Sequence, residues 1–327
     1  MELTAAICTY QRFDLLKTTL QSLAACDEID AQWELIVVDN DPANTNGEAD
    51  ENKMQQLVES FRDELPIRYI VESNAGTSHA RNRAVREAIA PVIVFTDDDV
   101  TFESAWLKQM WQAIQSRPDC AFWGGRVEPV WTTPKPSWFD PSHFALLGDT
   151  IVQYDQGDAP RMWRKDIDPP FYTANLAFEI AAIDQQGGFD TTVGHRGDVR
   201  MGMEDSLMVK GIASAGRCGW YAADAKVFHP VPIERTKPEF AKAFTWRQGW
   251  LSAEMTRQRA DDNFGGPGKL PKWYYRVAIT EYLAGFCKTV VGLCTFQVAK
   301  RFAGRLQMRF NLSRLWHALK TKGGAHA

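Results

Sequence analysis

Over the first 130 residues, short apolar runs alternate with amphipathic stretches. Leu3–Thr9, Glu34–Asn40, Ile67–Glu72 and Val92–Thr96 read as strands, while Phe13–Ala25, a polar stretch near Asp50–Glu64, Thr77–Ala90 and Glu103–Ser116 read as helices. The order is βαβαβαβα, and the first, second and fourth strands are almost continuously apolar, as in a parallel sheet covered by helices on both faces. The expected fold class is therefore α/β, with a mainly parallel sheet flanked by helices. Ligands of such sheets collect at the carboxyl ends of the strands. There the chain places Thr9-Tyr10-Gln11-Arg12, Asp39-Asn40-Asp41, Asn74-Ala75-Gly76 and Asp97-Asp98-Asp99, four polar clusters predicted to share one edge.

The Asp triplet carries the sharpest chemical hint. Three adjacent carboxylates repel one another unless a hard divalent cation sits among them, and Mg²⁺ or Mn²⁺ commonly joins such oxygens to a substrate's phosphates. The plainer alternative is an acidic turn capping the helix expected from Glu103.

A composition of 45% hydrophobic and 24% charged residues in 327 is that of an ordinary globular protein, which excludes disorder and fibres. The six cysteines lie far apart in the chain and form no CxxC pair, so neither a zinc site nor a disulfide framework is expected. The N-terminus enters a strand at once and lacks the basic and apolar regions of a signal peptide, so the expected location is cytoplasmic. Charge is unevenly spread: residues 268–327 hold 11 Lys/Arg against one acid, Glu281, and the 26 basic and 40 acidic residues upstream leave a body of about −14. An acidic body argues against nucleic acid as a partner. Within the basic tail, Val277–Ala299 is mostly apolar but interrupted by Glu281 and Lys288, which speaks against a clean membrane span. It suits one or two amphipathic helices, peripheral at an anionic membrane surface, packed on the body or forming a homo-oligomer.

The ordered segments resemble the inverting glycosyltransferases of family 2, which have the GT-A fold and use nucleotide-diphosphate sugars. The resemblance covers roughly residues 3–250. It rests on Cys8-Thr9-Tyr10-Gln11-Arg12, Ile36-Val37-Val38-Asp39-Asn40, Asn74-Ala75-Gly76 leading into Ala80-Arg81-Asn82-Arg83-Ala84, and the Asp triplet. Gly187-Gly188-Phe189-Asp190, Gly202-Met203-Glu204-Asp205, His229-Pro230 and Trp246-Arg247-Gln248-Gly249 follow in order. It implies a catalytic domain over 1–260, with a nucleotide-sugar half over about 1–130 and an acceptor half over about 131–260, then a helical extension over 261–327.

The resemblance implies roles residue by residue. Thr9, Tyr10, Arg12, Asn74 and Gly76 would border the nucleotide sugar, and Asp39 would accept a hydrogen bond from the base. Arg81 would reach the sugar or diphosphate, with a surface ion pair as the alternative. Asp97 would contact ribose, diphosphate or metal, Asp98 would serve either way, and Asp99 would ligate Mg²⁺ or Mn²⁺, with His229 approaching the metal or standing as a structural histidine. Asp205, beside Glu204, would be the general base, its pKa lowered by the helix N-terminus; alternatively one acid merely caps that helix. The family usually has glycine directly before the acid pair, and here Met203 intervenes. Trp246 and Arg247 would contact the acceptor, and Trp131–Tyr172, rich in aromatics, reads as an ordered loop region offering stacking faces or buried anchors. The implied reaction is hexosyl transfer from a donor, UDP-sugar favoured, to a saccharide or lipid-linked saccharide during surface-polysaccharide assembly. The alternatives are a catalytically silent binding subunit and a sugar-1-phosphate nucleotidyltransferase.

Overall fold

The computed structural model describes residues 1–41, 53–165, 167–196, 199–263 and 270–319, with the backbone alone for 194–196, 199–201, 255 and 258–263. Packing divides the chain into two compact units that do not follow chain order: Met1–Val130 with Val152–Pro230, and Trp131–Ile151 with Val231–Ala327. The second unit thus takes in Trp131–Ile151 and everything after Pro230, where the sequence reading drew its line near residue 260.

The first unit begins with β1 (Leu3–Thr9), α1 (Phe13–Ala24), β2 (Trp33–Asp39), α2 (Lys53–Glu59), β3 (Ile67–Val71), α3 (Thr77–Glu87) and β4 (Val92–Asp97). It continues through β5 (Thr101–Phe102), α4 (Trp106–Ser116) and β6 (Phe122–Trp131). In the second unit, α5 is Leu146–Thr150. The first unit resumes with β7 (Arg161–Met162), β8 (Leu176–Glu179), α6 (Ile180–Gln185), β9 (Gly194–Arg196), β10 (Val199–Met201), α7 (Glu204–Ser214) and β11 (Gly219–Val231). The main sheet runs β3-β2-β1-β4-β8-β6-β11-β5, with β7 also on β11. Strands β1 to β4 pair in parallel, and β8 turns the direction by pairing antiparallel with both β4 and β6.

Register brings the site together. Thr9 stands opposite Asp39, Asp39 opposite Val71, and Cys8 opposite Asp97, so the ends of four strands finish close together. Leu3, Ala5, Ala6 and Ile7 of β1, Leu35–Val38 of β2 and Ile93–Phe95 of β4 are buried, with Leu16 and Leu20 of α1 and Ala80 and Ala84 of α3 covering them. This is the double-sided burial expected of apolar parallel strands.

Three boundaries in this stretch differ from expectation by more than one residue. The helix expected from Glu103 begins at Trp106, because Thr101–Phe102 instead adds to the sheet beside β11 and the Glu103 N–H bonds the Lys226 carbonyl. The polar helix near Asp50–Glu64 is described from Lys53 and ends at Glu59, residues 50–52 lying outside the described set. The helix expected to Ala90 stops at Glu87.

The second unit holds α8 (Pro238–Asn263), α9 (Lys272–Cys294) and α10 (Val298–Leu319) with α5. The apolar run Val277–Ala299 is broken into two helices at Thr295–Gln297, where Phe296 adopts φ +56°. Ser313 of α10 donates to the Trp246 carbonyl of α8, and a Cβ on Gly249 would meet the Phe310 carbonyl, so these two helices touch backbone to backbone. Phe139, Leu147, Ile151, Val231, Ala241, Ala303 and Leu306 form this unit's core.

Candidate active site

Asp97, Asp98 and Asp99 leave the end of β4 in three directions. Asp98 turns inward: Thr9 Oγ1 donates to it at 2.7 Å and Arg12 Nη1 at 2.9 Å, and Arg12 also reaches Asp99 at 3.0 Å. Thr9 and Arg12, expected beside the nucleotide, are thereby tied to the triplet, while Tyr10 stands exposed at the rim. Asp97, Asp99 and His229 of β11 bring ligand atoms within 4.8 Å of one another. His229 Nε2 lies 3.5 Å from Asp99 Oδ1.

The donor set suits a hard cation. His229 Nδ1 lies 2.9 Å from the Pro230 carbonyl, which can only accept, so Nδ1 carries a proton and Nε2 is the ring nitrogen that faces Asp99. A lone pair and a carboxylate facing each other repel unless a proton or a metal ion lies between them. Burial, and then the charge of Asp99, push Asp97 up to about 7, with Arg81 opposing. Such a cluster is what a divalent cation would relieve.

Asp39 and Asn40 build the neighbouring strand ends. Asp39 is fully buried and accepts from Tyr69 Oη at 2.6 Å and from the Asp41 N–H at 3.0 Å. Asn40 bonds the carbonyls of Glu72 and Asn74 and accepts the Gly76 N–H, which holds the turn where Gly76 takes φ +137°. Asn74 donates twice to Glu72 Oε1. Sequence reasoning gave Asn40 no role; its position at the end of β2, just before a loop, was the available signal.

The acid pair Glu204-Asp205 opens α7. Arg81 of α3 is buried, not at the loop rim; it donates to Glu204 Oε1 at 2.5 Å and to Thr173 Oγ1 at 2.5 Å. Glu204 is thus half of a buried ion pair and Asp205 is the freer acid. Asp205 accepts the N–H groups of Thr173 (3.3 Å) and Ser206 (2.7 Å). The helix N-terminus does not win at Asp205. Burial and the Glu204 charge raise it to about 6, with Arg81 and the two amides opposing, so the expectation of a lowered pKa is reversed. Met203, where the family carries glycine, adopts φ +119°, a conformation in which a Cβ is strained.

The 3-10 turn Thr173–Asn175 links these parts, and the sequence reading passed over it. Thr173 meets both Arg81 and Asp205, Thr96 donates to the Ala174 carbonyl, and the buried Asn175 bonds Trp106 Nε1 and the Arg126 and Ala225 carbonyls. Gly187-Gly188-Phe189-Asp190 docks on α3 through two bonds between Asn82 and the Phe189 backbone.

Among the aromatics of Trp131–Tyr172, Tyr154, Trp163 and Phe171 are buried against one another and Tyr221, which is the anchoring role. Trp246 and Arg247 lie on α8 in the second unit, where Trp246 packs beneath Arg309 and beside His317. Cys120 and Cys218, far apart in sequence, bring their sulfurs to 2.9 Å beside Asp119, whose carboxylate is held by Arg117.

Residues 4–168 match the family model described as glycosyl transferase family 2. The succinoglycan biosynthesis protein ExoM of Rhizobium meliloti is 26% identical over 322 residues, covering 97% of this chain and 91% of its own. The glucosyl-dolichyl phosphate glucuronosyltransferase of Haloferax volcanii is 23% identical over 259 residues, covering 78% and 77%. Among solved structures, a mannosyltransferase from Pyrobaculum calidifontis in complex with GDP-Man and Mn²⁺ superposes with a TM-score of 0.59 at 17% identity, over 96% of this chain and 87% of that one. TarS of S. aureus in complex with UDP gives 0.52 at 15% identity, over 96% and 90%. These superpositions share the GT-A fold.

Proposed function

Because the chain belongs to glycosyl transferase family 2 and is a glycosyltransferase, we propose that it moves one sugar, with inversion, from a nucleotide-diphosphate sugar to a saccharide or lipid-linked saccharide in surface-polysaccharide assembly. The observation that supports this reading is that ligand atoms of Asp97, Asp99 and His229 lie within 4.8 Å of one another, near one buried cation, Arg81, whose charge acts on both Asp97 and Asp205. The polysaccharide context is supported by the relative named for succinoglycan biosynthesis.

Asp97, Asp99 and His229 would hold Mg²⁺ or Mn²⁺, which when bound supplies a Lewis acid for the charge on the departing diphosphate. Asp205 takes the proton of the acceptor hydroxyl. Inversion requires that base on the face opposite the leaving group, and a carboxyl raised to about 6 is ionised at neutral pH yet more basic than an ordinary aspartate. Arg81 neutralises Glu204, so that only one of the two adjacent acids is available as a base. Tyr10, exposed beside Arg12, is the rim residue for the nucleotide, a UDP-sugar donor being favoured. Trp246 and Arg247 are assigned to the acceptor.

The test is transfer from UDP- and GDP-sugars with Mn²⁺ or EDTA, using oligosaccharide and lipid-linked acceptors. Metal-dependent transfer that Asp205→Asn removes while nucleotide binding persists supports the assignment. Full transfer by Asp205→Asn overturns the base, and nucleotide binding without transfer to any acceptor points to a silent binding subunit.

A further inference from the structure

Helix α9 and the turn after it present large apolar side chains outwards. Trp273, Leu283, Phe286 and Leu293 are 54–56% exposed and Phe296 is 92% exposed, and Val277, Ile279, Val290 and Val291 lie between them. The buried positions of the helix, Tyr274, Ala278, Gly285 and Gly292, form one narrow strip. Along it α10 approaches so closely that a Cβ on Gly285 would lie 2.9 Å from the Gly304 carbonyl oxygen. Near its start α9 also meets α8, where Tyr274 Oη bonds Ser252 Oγ, and the remainder of α9 faces away from α10. An exposed apolar face of this extent marks an interaction surface.

Charge says what covers it. Lys288 donates to Gln307 Oε1 and to the His143 carbonyl, and Gln307 donates to Glu281, so both charged groups in the middle of α9 are engaged from the α10 side. The ion pairs among the described residues of this unit are His143–Asp140, Lys242–Glu239 and Arg257–Glu254, and none uses a cation of α9 or α10. Lys272, Arg276, Lys300, Arg301 and Arg305 therefore flank the apolar face without an acidic partner in that set. A second copy of the same surface would bring these cations against one another. An anionic bilayer offers acyl chains to the apolar face and headgroup charge to the cations.

We propose that the outer face of α9, from Trp273 to Phe296, lies in the plane of an anionic membrane surface, immersed to the headgroup and acyl boundary. A span is disfavoured, since α10, packed along α9, would carry Lys300, Arg301, Arg305 and Arg309 to hydrocarbon depth.

Co-sedimentation of the full chain with vesicles tests this independently of any sugar transfer. Binding to vesicles of phosphatidylcholine with phosphatidylglycerol, at least tenfold tighter than to phosphatidylcholine alone and weakened by 0.5 M salt, is the expected result. Leu283→Glu with Phe286→Glu should reduce partitioning at least tenfold with an unchanged thermal melt, and Arg301→Gln with Arg305→Gln should remove the preference for anionic lipid. Absence of vesicle binding overturns the proposal. So does a dimer, seen by light scattering, that the Leu283→Glu and Phe286→Glu pair dissolves, because the face would then belong to a second copy.

Discussion

Arg81 and Glu204, 123 residues apart in the chain, meet as an ion pair with both side chains buried. Removing one partner of such a pair leaves the other charge stranded, which typically costs about 3–5 kcal/mol. Arg81→Met should therefore destabilise the protein by roughly that amount, read as a lower midpoint in urea. Glu204→Gln should also shift the pH profile of transfer to lower pH, since the Glu204 charge is one of the causes raising Asp205.

Asp205 predicts its own pH dependence. As a base it must be ionised, so kcat/KM should climb as pH rises through about 6 and level off above it. The stability sign is opposite. A carboxyl whose folded pKa lies above its unfolded value makes folding less favourable as pH rises between the two, here from about 4 to about 6. Asp205→Asn should accordingly melt higher than the parent at pH 8, the gap narrowing as pH falls through 6. A parent that is the more stable at pH 8 would contradict the raised pKa.

Metal binding should depend on the triplet unevenly. Asp99→Ala and His229→Ala remove donors that face one another, and each should weaken Mn²⁺ binding about 10- to 100-fold by calorimetry. Asp98→Asn removes instead a partner of Thr9 and Arg12, so its main effect should be a lower melting temperature. Equal loss of Mn²⁺ affinity in Asp98→Asn would show that the inward acid also ligates.

Met203 holds a backbone conformation that glycine adopts without penalty. Met203→Gly should stabilise the fold by about 1 kcal/mol, the strain relieved exceeding the entropy glycine adds to the unfolded chain. A urea titration measures it, and a destabilised variant would mean that the Met203 side chain contributes more than its backbone costs.

Much of the first 130 residues is legible because its information is local. Apolar runs of strand length are buried on both faces wherever helices cover a parallel sheet, and pairing in register then sets Thr9, Asp39 and Asp97 side by side. Met203 was visible too, as a residue standing where the resembling family has glycine. The helix starts later than Glu103 because the two-residue strand before it pairs with a β11 partner more than a hundred residues away, which no local pattern announces.

The local pattern of the chain thus sets the order of the elements and the chemistry delivered to the ends of the strands. Which groups face which follows from packing. It turned Asp98 towards Thr9 and Arg12, gave Glu204 to Arg81, raised Asp205 against its helix N-terminus, and left the outside of α9 exposed. The reason is physical: propensity and periodicity act over a few neighbouring residues, whereas desolvation and charge pairing depend on groups that the chain brings together from far apart.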